Sequence, residues 1–202
     1  MQQRDYKQNC GVARSTDLLG ERWTFLIVRD LLISPRRFSE LEKRLKGIGT
    51  NLLSKRLKEM RGAGLVVGGD ETPYYTLTEM GCGLEPIILH LVKWSNSWIK
   101  SPTKLDDLHF PDWDLLGLKA LYVPDLERKR PLVAQFAVED WMAWVRIDKN
   151  SYTYGLGKSE EAIDINFPCL ISELRQAGAI IERLPARQIT AAKKFVSAFP
   201  LT

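Results

Sequence analysis

The spacing of apolar residues changes several times along the chain, and each change marks an element. "ARSTDLLGERW" (13–23) predicts a short helix that ends near Gly20. "TFLIVRDLLIS" (24–34) is apolar nearly all round, as in a buried helix, and it stops before Pro35. In "FSELEKRL" (38–45) Leu41 and Leu45 share a face, and Ser39 with Glu42 three residues later reads as a capping box. "GIG" (47–49) breaks that helix, and Thr50 is the expected N-cap of the next. At about 100° per residue, Leu53, Leu57 and Met60 then fall on one side, with Asn51, Ser54, Lys55, Lys58 and Arg61 opposite. Two β-rich runs follow, Leu65–Val67 and Tyr74–Leu77, separated by "GGDETP". They predict a hairpin with a loop of about six residues. Finally Leu84, Ile87, Leu91, Trp94 and Trp98 recur at alternating steps of three and four, a heptad seam. Pro86 marks the start of that helix or a kink in it.

The period changes again in the second half. "SPTKLDDLHFPDWD" (101–114), with two prolines, breaks the helical pattern and reads as a boundary. The expected division is a first domain over 1–101, a linker over 102–113 and a second domain over 114–202. After a helix at 114–122, "LVAQFAV", "WMAWVRID" and "SYTYGLG" read as strands joined by turns at Glu139–Asp140 and Lys149–Asn150, an antiparallel meander. In the middle strand Trp141, Ala143, Val145 and Ile147 share one face, and Met142, Trp144, Arg146 and Asp148 the other. Helices at 167–177 and 188–199 complete an α+β layer fold, the last with Ile189, Ala192, Phe195, Val196 and Phe199 on one face.

Charge sharpens this picture. The net charge is only +4, but residues 36–61 hold 9 basic and 3 acidic side chains. The polar side of the 50–61 helix thus offers an amide, a hydroxyl and three cations in one stripe. Asn suits adenine edges, Arg and Lys suit guanine, and any cation suits phosphate. A stripe of this kind points to nucleic acid, although charge runs also merely solvate helix faces.

The motifs "GERWT", "RRFSEL", "GIGTNLLSKRLKEM", "AGLV" and "YTLTEMG", with a cysteine near the N-terminus, together resemble the HxlR family of bacterial winged helix-turn-helix transcriptional regulators over residues 10–98. The resemblance implies a homodimer on a pseudo-palindromic operator. The helix around 50–61 would lie in the major groove and the wing 68–74 near the minor groove. It places Thr50, Asn51, Ser54, Lys55, Lys58 and Arg61 toward DNA, with Arg36 and Arg37 on the backbone. Asp70 and Glu71 stand in the wing where a basic residue would help. The seam Leu84, Ile87, Leu91, Trp94 and Trp98 is the candidate dimer interface, against packing on its own domain. Cys10 stands where relatives hold a redox-sensing thiol, against a small buried residue, and Arg14 at i+4 could lower its pKa. The element order of the second half resembles the sterol-carrier-protein-like fold. That implies a pocket for a small apolar effector lined by Phe136, Trp141, Trp144 and Leu170, against those residues simply forming the core.

The three cysteines, Cys10, Cys82 and Cys169, are far apart and make neither a disulfide framework nor a zinc pattern. No hydrolase, P-loop, dinucleotide or metalloprotease motif occurs, so neither an enzyme nor a cofactor or metal is expected. The polar "MQQRDYKQNC" start and the lack of an apolar run near ~20 residues predict a cytoplasmic protein without a membrane segment. The expected function is a dimeric DNA-binding transcriptional regulator, a repressor, whose second domain senses a small apolar ligand. The alternative is a small-molecule carrier or interaction module whose winged helix contacts protein.

Overall fold

The computed structural model describes residues 6–99 and 107–200. The chain divides into two compact units, with the division falling inside a helix after Ile88. The start of the expected linker, 102–106, lies outside the described residues.

The first unit opens with α1 (Gly11–Leu19) and α2 (Thr24–Ile33). Gly20 is the C-cap of α1 and donates its N–H to the Thr16 carbonyl at 2.7 Å, and a Cβ there would sit 2.5 Å from that oxygen. α2 buries Ile27, Val28, Leu31 and Ile33, but also Asp30, whose side chain is fully enclosed. Its carboxylate accepts from Arg44 Nε at 2.5 Å and from an Arg29 amino group at 2.8 Å. Arg44 is itself buried, in the last turn of α3 (Phe38–Arg44). A charge inside a core is tolerated only when paired in this way, so the pair ties α2 to α3.

The caps differ from expectation. The cap of α3 lies two residues earlier than expected, with Arg37 as N-cap and Glu40 accepting from the Arg37 backbone N–H at 2.7 Å. Ser39 lies inside the helix. Glu42 instead accepts from Thr50 Oγ1 at 2.5 Å, and Gly49 rather than Thr50 caps α4 (Thr50–Gly62). Glu42 and Thr50 thus stitch α3 to α4 rather than capping a helix each.

The wing is a three-stranded sheet in the order β1 (Arg36–Arg37), β3 (Tyr74–Leu77), β2 (Val66–Gly68). β1 is too short to carry a periodic signal, and only pairing with Tyr75 and Tyr74 defines it. Gly68 and Gly69 both have positive φ. A Cβ on Gly68 would lie 1.9 Å from the Tyr74 carbonyl oxygen, and one on Gly69 would strike the Tyr75 ring. α5 (Glu79–Cys82) and α6 (Glu85–Trp98) follow, with Pro86 in the first turn of α6.

The second unit holds α7 (Trp113–Leu121) and a four-stranded sheet in the order β6-β5-β4-β7. β4 (Leu132–Val138), β5 (Trp141–Ile147) and β6 (Tyr152–Leu156) form the expected meander. β7 (Ile165–Phe167) adds a fourth strand parallel to β4, where a helix was expected to begin. Pro168 explains the difference, because the residue before proline favours extended backbone. A 3-10 turn (Ile171–Gln176), α8 (Ala177–Glu182) and α9 (Ala186–Val196) complete the unit. The register puts Phe136, Phe167 and Tyr152 on one sheet face. Phe136 stacks on Phe167 with centroids 5.1 Å apart, and Phe195 and Phe199 extend the cluster to Tyr152. α9 covers this face with Ala192 and Phe195, and Phe199 just beyond its end is buried too, while Ile189 and Val196 are half-buried. The helices and two sheets make the chain α+β, a winged helix-turn-helix followed by a sheet with helices.

Asp30→Ala should cost about 3–5 kcal/mol, because it removes one partner of a buried ion pair. A drop in the chemical-denaturation midpoint checks this, and an unchanged midpoint would show that the pair does not hold α2 to α3.

Candidate nucleic-acid interface

α4 is sharply two-sided. Leu53, Leu57 and Met60 are buried, whereas Thr50, Asn51, Ser54, Lys55, Lys58 and Arg61 are exposed. The helix carries one further inward residue. Arg56 is buried, with ion pairs to Glu21 at 3.0 Å and Glu59 at 2.7 Å. Its long stem packs inward while its head reaches two carboxylates. α4 is thereby fixed at its N-terminus by Thr50–Glu42, along its length by apolar packing, and toward the α1–α2 junction by Arg56–Glu21.

The exposed side does not present all its cations equally. Lys55 lies 3.9 Å from Glu59, one turn on. Arg61 pairs with Asp70 of the wing. The Asp70 carboxyl is held below its ordinary pKa by the hydrogen bond from Arg61, and Arg61 is raised by the same bond. Lys58 makes no ion pair among the described residues. Arg37 is exposed, donates to the Tyr74 hydroxyl at 3.2 Å and lies 4.9 Å from that ring's centroid. Arg36, expected beside it on the DNA backbone, is only 8% exposed. Successive strand residues point to opposite faces, so pairing of β1 with β3 turns Arg36 inward and Arg37 outward.

The seam divides in two. Leu84 is buried, while Ile87 and Leu91 are exposed and Trp94 and Trp98 are 56% and 73% exposed. Ile88, on the neighbouring side of α6, is buried.

The four residues expected to line one pocket do not converge. Trp144 lies on the opposite sheet face from Phe136 and Trp141, because strand residues alternate. Its indole lies over Gly155 on β6, where an added Cβ would come within 2.7 Å of the ring. Phe136 is fully buried in the aromatic core, and Trp141 and Leu170 are half-buried. On the Trp144 face, the buried Gln135 is the feature that sequence reasoning missed. Its amide donates to Ala143 and Gly157 carbonyls at 2.9 and 3.1 Å, and its oxygen accepts from Ser159 N–H at 3.0 Å. A lone polar residue in an apolar strand was the available signal.

Cys10 is exposed and stands just before α1. Backbone N–H groups of Ala13 and then Val12 hold its thiol pKa below the ordinary range. These amides, rather than Arg14, supply the effect. Cys169 is buried, and burial pushes its thiol up to about 11. The described residues contain no group of three or more His, Cys, Asp and Glu able to hold a metal ion. None of the described helices is long and apolar enough to cross a membrane.

The family model for HxlR-like helix-turn-helix proteins matches residues 18–103. The chain is similar to the HTH-type transcriptional regulator YvaP of Bacillus subtilis (strain 168), with 41% identity over 98 residues, 46% of this chain and 90% of that protein. It is also similar to the HTH-type transcriptional regulator YodB of the same organism, with 35% identity over 86 residues, 40% of this chain and 77% of that protein. The solved structure of quinone-bound YodB from B. subtilis aligns with 43% of this chain and 97% of that chain at 31% identity, with a TM-score of 0.40.

Alkylation separates the thiols. Cys10 should label first and reach half-maximal rate below the ordinary thiol pKa, whereas Cys169 should stay unlabelled in the folded protein near neutral pH. Peptide mass mapping against pH checks this, and equal rates at the two sites would contradict it.

Proposed function

Because the chain belongs to the HxlR-like helix-turn-helix family, we propose that it is a dimeric transcriptional regulator that reads operator DNA with α4. The carrying observation is the two-sidedness of that helix. Its apolar residues and Arg56 are buried, while Asn51, Ser54, Lys55 and Lys58 form one exposed stripe. An amide and a hydroxyl can meet base edges while the lysines meet phosphate. Arg37, at the N-cap of α3, adds an exposed cation beside the wing.

The dimer reading is supported by Ile87, Leu91, Trp94 and Trp98, large apolar side chains left exposed at heptad spacing. Two such helices would bring two copies of α4 to successive half-sites. Repression is the simplest action of such a dimer, by occupying promoter DNA. We assign effector response to the second unit, which has a core of its own around Phe136, Phe167 and Phe195. An effector there would act by binding more tightly to one dimer geometry than to another. The rival reading, a carrier or protein-interaction module, drew on the acidic wing. Asp70 is engaged by Arg61, which weakens that support.

Gel-shift titration on duplexes selected from random DNA tests the reading. Lys58→Ala should flatten the salt dependence by about one unit on every sequence, and Asn51→Ala should relax preference at one base position. Absence of salt-dependent binding by the wild type would refute it. Independently, replacing Leu91 and Trp94 by Glu should halve the mass measured by light scattering. An unchanged mass would remove the α6 interface.

A further inference from the structure

The charges around α4 do not simply add. Arg61 closes the basic stripe near the C-terminal end of the helix, and Asp70 of the wing lies against its guanidinium. The contact is built by the wing itself. Gly68 and Gly69 turn the chain with positive φ, and Gly69 N–H bonds to the Thr72 carbonyl at 2.9 Å. Neither glycine accepts a side chain, because Tyr74 and Tyr75 already fill the space. This closed turn brings Asp70 back to α4. Across the sheet, Tyr74 engages Arg37 without cancelling its charge. The wing therefore leaves Arg37 cationic and neutralises Arg61.

We infer that Asp70 is a built-in phosphate mimic that masks Arg61 and limits sequence-independent attraction to DNA. The inference rests on the DNA-binding reading above. An exposed pair of this kind contributes little to folding stability. Its effect on DNA binding is larger in kind, because each phosphate neutralised releases counterions and sets the salt slope. With Arg61 masked, the stripe relies on Lys55, Lys58 and Arg37 for phosphate and on Asn51 and Ser54 for bases. Affinity then shifts from backbone attraction toward base contact, which widens the gap between operator and bulk DNA. The Asp70 carboxyl, held low by Arg61, stays ionised at neutral pH, so the mask persists there.

Asp70→Asn tests this on the full chain, with a mixed-sequence duplex and an operator duplex selected by the wild type. The slope of log affinity against log salt on mixed-sequence DNA should steepen by about 0.9. Binding to that DNA should strengthen several-fold at low salt, with a smaller gain on operator, so the ratio of the two falls. In an Arg61→Gln background the same substitution should leave the slope unchanged. Circular dichroism of each variant should match the wild type. An unchanged slope for Asp70→Asn would overturn the inference. So would equal steepening in the Arg61→Gln background, which would mean a diffuse charge effect, or weaker binding, which would mean that Asp70 orders the wing for contact. Failure of the wild type to bind any duplex is a separate result, and it refutes the DNA-binding reading itself.

Discussion

A fully buried carboxylate governs the first unit. Asp30 sits in the apolar helix α2 and would be intolerable there alone, since an unpaired charge in a core carries a desolvation cost of several kcal/mol. Arg44 and Arg29 answer it, and Arg44 comes from α3. α3 therefore has one acceptable placement on α2, where a purely apolar contact would allow sliding. From that placement the rest follows through short links. Glu42 receives the Thr50 hydroxyl and starts α4, Arg56 anchors α4 to Glu21, and Leu53, Leu57 and Met60 fill the remaining space. The outward stripe points where it does because each inward residue is occupied.

The polar surface that results is more selective than its composition suggests. Nine basic residues lie between 36 and 61, yet the fold uses several of them internally. Arg44 and Arg56 hold helices together, Arg36 turns inward, and Arg61 is answered by Asp70. Counting charge along the sequence thus overstates what a polyanion would meet. The spacing of charge relative to the apolar face is the better guide, and it separates Lys58 from Arg56 only two residues away.

Most of this architecture could be read from periodicity. α2, α4, the hairpin and the β4–β6 meander each repeat a pattern over enough residues to register. What escaped was set by single contacts across the chain. β1 spans two residues and exists through pairing with β3, and β7 exists through pairing with β4. The Pro168 signal for an extended Phe167 was present but lay against an apolar run suited to a helix. Caps were misassigned because Glu42 and Thr50 have the right chemistry for local bonds and spend it on each other across two helices, while Ser39 falls inside α3. The expected pocket conflicted with a parity already legible in the sequence, which sets Trp141 and Trp144 on opposite faces of β5. The exposed seam was visible as spacing, but only the fold could separate Leu84, which is buried, from the four residues beyond it.

The contact between Trp144 and Gly155 reaches beyond the single molecule. A glycine inside a strand weakens it, and an aromatic ring laid across the gap restores the lost contact. Here the ring occupies the volume any larger residue at 155 would need. Any side chain placed at 155 therefore requires the indole of Trp144 to move, so the two positions tolerate substitution together rather than singly.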